Sequence, residues 1–125
     1  PNVFQYRNSP MQLMIFTSII LALDIQNEFK DQYEVFRTCP RELEVLPKGY
    51  SKGATLVRMM DMFGWDKDKV FTFGDGENDV SMFGVVTHSF AMGQALDYVK
   101  EKAAHVTKSN VEQGIVAALK DFNIL

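Results

Sequence analysis

Val70-Phe71-Thr72-Phe73-Gly74-Asp75-Gly76-Glu77-Asn78-Asp79 is the stretch that decides the fold. Val70 to Phe73 has the β-branched and aromatic texture of a short buried strand. It runs directly into a loop that holds two glycines and three acids. The glycines are expected to let the backbone turn sharply off the strand. Three carboxylates this close repel one another unless a cation lies among them. Magnesium suits so sparse a set, because it keeps several waters and takes one or two carboxylates with phosphate oxygens. The same residues also serve as turn formers and helix-start acids, so a purely structural loop stands beside the metal reading. An EF-hand does not. Counted from Asp75, Val80 falls where glycine is needed and Val86 where a bidentate glutamate is needed.

Downstream of the loop the chain alternates. Asp79 to Val85 suits a short helix, His88 to Met92 a strand, and Gln94 to Ala103 a helix with Leu96 and Val99 on one face. Ala104 to Thr107 follows as a last short strand. Val111 to Phe122 then reads as an amphipathic helix on Ile115, Ala118, Leu119 and Phe122. Strands that alternate with helices require crossovers, hence a parallel sheet with helices on its faces. Ligands of such sheets collect at the carboxyl ends of the strands, where Asp75 to Asp79 lies.

Upstream, Ser51 is positioned to cap a helix running to about Phe63, stopped by Gly64. Met59, Met60, Met62 and Phe63 read as core residues of that helix, with Trp65 over its end. Lys52 falls in the first turn, where the helix dipole disfavours a cation, and this points to an anionic partner; a solvated lysine is the bland alternative. Lys48 to Gly53 is no P-loop, since the Gly-Lys-Ser/Thr order is missing. Pro47-Lys48-Gly49 marks a boundary between two regions. Before it, Met11 to Thr17 reads as a buried strand and Ser18 to Gln32 as an amphipathic helix. Tyr33 to Thr38 and Glu42 to Leu46 form a hairpin-like pair around Cys39-Pro40-Arg41.

Composition limits the function classes. A net charge of −3 spread over interspersed residues offers no basic surface for nucleic acid or anionic lipid. The apolar run from Leu13 to Ile25 is interrupted by Thr17, Ser18 and Asp24 and is too short to span a bilayer. Cys39 is the single cysteine and reads as a buried or idle thiol, which fits a reducing, cytoplasmic setting. No secretory pattern is visible at Pro1. His88 and His105 lack a partner at metal-ligand spacing and read as structural or exposed.

Taken together, GYSKG at 49–53, FGDGEND at 73–79, AMGQA at 91–95 and HVTKSNVEQG at 105–114 resemble the Cof-type branch of the haloacid dehalogenase superfamily. The resemblance spans Glu42 to Phe122 and covers the carboxy-terminal part of that family's pattern. It implies an α/β fold with a Rossmann-like core over residues 47–125, and the remnant of an α/β cap over residues 1–46. It also implies Mg2+ dependence and hydrolysis of small phosphorylated metabolites such as sugar phosphates. On the same resemblance Lys52 and Asn78 contact the substrate phosphate, and Asp75 and Asp79 are the metal residues, Asp75 as the magnesium aspartate and Asp79 as the second acid of the loop, which supports it. Lys52, Asp75 and Asp79 are thereby the catalytic candidates.

Two departures accompany it. The family's Asp-x-Asp nucleophile motif has no match. Asp66-Lys67-Asp68 follows Gly64-Trp65 rather than an apolar strand, so the nucleophile is expected upstream of Pro1. Thr17 ends a strand only in the cap-like segment. In addition, Gln94 stands where the family usually has asparagine, and Val86-Thr87 where an alanine-glycine pair is common. Neither is expected to touch the metal residues. The rival reading is a non-catalytic domain that binds magnesium or phosphate, or associates with itself through an exposed sheet edge.

Overall fold

The computed structural model describes residues 12–125, so Met11, the first residue of the expected amino-terminal strand, lies outside the described residues. The chain divides into two compact units, Pro1–Ser51 and Lys52–Leu125.

Among the described residues, the first unit is a three-stranded antiparallel sheet with one helix. Its elements are β1 (Leu13–Phe16), α1 (Ile19–Phe29), β2 (Tyr33–Cys39) and β3 (Glu42–Pro47). The strand order is β1-β3-β2. Ser18 caps α1 by accepting a hydrogen bond from the Leu21 amide. Period-two alternation in β2 and β3 sends Val35 and Leu43 to one face, where they pack with Ala22 of α1, flanked by Ile15, Ile25 and Val45. The hairpin turns at Cys39-Pro40-Arg41 as expected, with an irregular register between Arg37 and Cys39. One expectation fails here, and the buried alternative for Cys39 falls with it. β1 is not buried: among the described residues it lies at the edge of the sheet, and Leu13, Met14 and Phe16 are exposed. Cys39 is exposed as well, and its thiol donates to Glu42 at 3.5 Å.

The second unit holds the parallel sheet. Its elements are α2 (Lys52–Phe63), β4 (Phe71–Gly74), α3 (Val80–Phe83), β5 (His88–Ala91), α4 (Asp97–Lys100), β6 (His105–Val106) and α5 (Gly114–Asp121). The order is β4-β5-β6, with both pairings parallel. One face packs Ala91 against Phe83, Ala95 and Val99. The other carries Phe71, His88, Phe90 and His105, all in ring contact with Phe122.

Several helix expectations are corrected. The helix expected from Gln94 shrinks to α4, because Ala95 turns back onto the Met92 carbonyl and Leu96 is extended. Val99 is buried but Leu96 is exposed, so the two do not share a buried face. The final helix is split at Gln113, whose φ of 57° is left-handed, into a 3-10 turn (Asn110–Glu112) and α5. Asp79 ends a 3-10 turn (Glu77–Asp79) that precedes α3. In α2 the expected core residues Met59, Met62 and Phe63 are exposed, Met62 by 76%. Only Gly53 of that helix is buried, so α2 is held at its amino end rather than along a stripe. Trp65 stacks on Phe63 at 5.0 Å and donates its amide to Met60.

Candidate active site

The site begins with the end of β4. Gly74 lies under Asp79: a Cβ on Gly74 would sit 2.3 Å from the Asp79 Cβ. This glycine is therefore required for close approach, and neither it nor Gly76 has a positive φ. The expected sharp glycine turn is replaced by a side chain folding back over the strand end.

That side chain organises the loop. Asp79 is 6% exposed. Its Oδ2 accepts the Asp75 amide at 2.9 Å and the Gly76 amide at 3.0 Å, and its Oδ1 accepts Lys52 Nζ at 2.5 Å. A buried carboxylate with three donors is well compensated for its loss of water. Lys52 finds its anion within the chain, which accounts for a cation in the first turn of α2.

Lys52 reaches Asp79 because α2 starts close to α3. A Cβ on Gly53 would stand 2.0 Å from the Ser81 carbonyl oxygen, so only glycine fits. The Gly53 amide donates to Ser81 Oγ at 3.0 Å, and that hydroxyl donates to the Asn78 carbonyl at 3.2 Å. Ser81 is thus a residue of the site that sequence reasoning missed. Its only sequence signal is the serine that follows the acidic loop by two positions.

Asp75 has the opposite surroundings. It is exposed at the carboxyl end of β4, and its Oδ2 accepts Gln94 Nε2 at 2.9 Å. Among the described residues Oδ1 has no protein partner. Gln94 therefore does touch the metal candidate, contrary to expectation.

Asp75, Asp79, Lys52 and Asn78 are brought to one strand end, but the two acids differ in what they can offer a cation. Both oxygens of Asp79 are committed to the loop and to Lys52. Asp75 retains one oxygen without a hydrogen-bond partner among the described residues. No group of three His, Cys, Asp or Glu side chains capable of holding a metal occurs among the described residues. One available carboxylate still fits magnesium, which draws most of its remaining ligands from water and phosphate.

Asp66-Lys67-Asp68 is occupied in structure. Asp66 caps a 3-10 turn by accepting the Asp68 amide, and Asp68 accepts the Thr87 hydroxyl. His88 and His105 stack at 6.5 Å within the aromatic face of the sheet. Among the described residues no helix is long and apolar enough to cross a membrane.

A model of the haloacid dehalogenase-like hydrolases matches residues 2–119. The chain belongs to that family. Among curated proteins it is 42% identical over 73 residues to 5-amino-6-(5-phospho-D-ribitylamino)uracil phosphatase YwtE of Bacillus subtilis, covering 58% of this chain and 26% of that protein. It is 32% identical over 103 residues to phosphatase YcsE of the same organism, which bears the same enzyme name, covering 78% of this chain and 41% of that one. Among solved structures, a subclass IIB sugar phosphatase of the superfamily superposes with a TM-score of 0.83 at 31% identity, over 92% of this chain and 44% of the other. The chain thus spans less than half the length of these relatives, and it shares the haloacid dehalogenase fold, including a parallel sheet.

Proposed function

We propose that the protein carrying this chain is a magnesium-dependent phosphatase of small phosphate monoesters, sugar phosphates or similar. The observation that supports it is the exposed Asp75 carboxylate, beside the ion pair of Lys52 with the buried Asp79 at the carboxyl end of β4. Family membership and the names of the relatives support phosphate ester hydrolysis. Asp75 holds the metal, while Asp79 sets the loop amides and Lys52. Bound magnesium supplies charge neutralisation for the phosphoryl group, which is what this chemistry chiefly needs. Lys52 and Asn78 meet the phosphate oxygens. The nucleophilic aspartate, which forms an aspartyl-phosphate, lies upstream of Pro1. In the same reading residues 1–46 belong to a cap and residues 47–125 to the catalytic core, and the protein works in the cytoplasm without nucleic acid or membrane partners.

Hydrolysis of a generic phosphate ester tests this. A chain extended upstream to include the aspartate is expected to turn over with Mg2+ and to lose at least about 100-fold on Asp75→Ala, the scale of removing an electrostatic group from such a site. The 125-residue chain alone is expected to be inactive. Activity in that chain which Asp75→Ala abolishes would overturn the division of the site. A second reading rests on β4, which among the described residues pairs with β5 alone and carries neither charge nor proline between Phe71 and Gly74. Such an edge invites another strand. A domain without turnover would then associate with itself there, and light scattering would find a dimer.

A further inference from the structure

The ends of the three parallel strands are stitched together in sequence. The Met92 amide donates to the Gly74 carbonyl at 2.9 Å, and the Thr107 amide donates to the Ala91 carbonyl at 2.9 Å. The Gly93 amide donates to the Lys108 carbonyl at 3.1 Å. A Cβ on Gly93 would stand 2.6 Å from the Ser109 amide nitrogen, so the loop after β6 lies directly on Gly93.

Gln94 spans this assembly through its side chain. Nε2 donates to Asp75 Oδ2 at 2.9 Å, and Oε1 accepts the Asn110 amide at 3.0 Å. The amide orientation is forced, because a carboxylate only accepts and a backbone N–H only donates. Asp75 stands in an exposed loop and has rotamers to lose; a donor fixed at its far end selects one of them. That donor occupies Oδ2, and among the described residues Oδ1 accepts no hydrogen bond.

We propose that Gln94 is a positioning residue for the metal carboxylate: it selects which oxygen of Asp75 faces the cation and locks that choice to the loop at Asn110. This rests on the reading of Asp75 as the metal ligand. Partners that orient metal ligands from behind typically change metal affinity 10- to 100-fold when removed. Gln94 itself is exposed, so its loss leaves little buried surface to disturb.

Mn2+ alone, counted by the electron paramagnetic resonance of the free ion in titrations of the protein, is the probe. Gln94→Met keeps the length of the side chain and removes both hydrogen bonds. It is expected to weaken Mn2+ binding about 10-fold with the urea midpoint unchanged. Asp75→Asn separates the two levels of the argument. If the wild-type protein binds no Mn2+, or Asp75→Asn binds it as well as wild type, the metal reading fails and the proposal with it. If Asp75→Asn loses binding while Gln94→Met keeps it within about twofold, Gln94 has no positioning role. A fall in Mn2+ affinity that comes with a lowered urea midpoint assigns Gln94 to loop stability and also overturns the proposal.

Discussion

The two sheets of this chain solve the same burial problem differently. The antiparallel sheet β1-β3-β2 places its apolar core on the α1 side alone and leaves Phe16 77% exposed. The parallel sheet β4-β5-β6 is covered on both faces at β5, whose Ser89, Phe90 and Ala91 are all buried. Antiparallel sheets tolerate one wet face, whereas parallel strands are normally buried on both. Function follows that difference. The loop after β4 begins beside that covered strand, since the Gly74 carbonyl accepts the Met92 amide just past β5.

The largest effect that sharpens the contrast lies within the antiparallel sheet. Leu43 is fully buried against Ala22 and Val35. Leu43→Ala is expected to cost about 2–5 kcal/mol, the range for a cavity left by a large aliphatic side chain. Phe16→Ser, on the edge strand, is expected to change stability by no more than about 0.5 kcal/mol. Urea unfolding of both variants checks the pair. Equal losses would mean that Phe16 is buried in solution and that the sheet has no open surface there.

A middle-sized effect belongs to the parallel sheet. Gly74→Ala pushes a methyl group into Asp79, whose Oδ2 would stand 2.8 Å from the new Cβ. Asp79 cannot retreat without releasing two amides and Lys52, so a loss of about 1–3 kcal/mol is expected. Gly84 is the control. Its φ of −80° suits alanine, and no atom lies within 4 Å of a Cβ built there. Gly84→Ala is expected to gain about 0.4–1 kcal/mol through the unfolded chain. Thermal melts that rank these two in the reverse order would break the account of the strand end.

Much of this was legible in the residues, and what was not has physical reasons. Alternating elements fixed the parallel sheet, because hydrophobic periodicity and turn residues are local properties. Ser18 as a cap and the hairpin around Pro40 were likewise local. Some failures depended on contacts distant in sequence, whereas the shortened α4 and the break at Gln113 are local backbone choices that periodicity does not register. Met62 and Phe63 have helical apolar spacing, but spacing cannot say whether a partner surface covers them. The role of Gly74 is set by Asp79, and that of Gly53 by Ser81. Gln94 looked like an incidental change until its two hydrogen bonds, each spanning more than a dozen residues, were in view. Both acids of the loop were assigned to the metal, yet Asp79 is consumed by three donors while Asp75 accepts only from Gln94 among the described residues.

The smallest effect comes from the exposed loop that enters α5. Glu112 is fully exposed, and its carboxyl is held below the ordinary glutamate range first by the Ser109 hydroxyl, then by the Ser109 amide, with Lys108 adding a minor share. These contacts form a capping box over the 3-10 turn at Asn110, the residue whose amide also meets Gln94. A depressed folded value means that the native state holds its proton less tightly than the unfolded chain. The stability gained is therefore fully present above the ordinary glutamate value and is lost as pH falls through the lowered one. Glu112→Gln removes the charge and with it this pH dependence. Melting temperatures of wild type and variant should differ slightly near neutrality and converge in acid. A difference that stays constant down to the lowest pH would mean that the box stabilises through packing or neutral hydrogen bonds, and that the charge of Glu112 contributes nothing to holding Asn110 beneath Gln94.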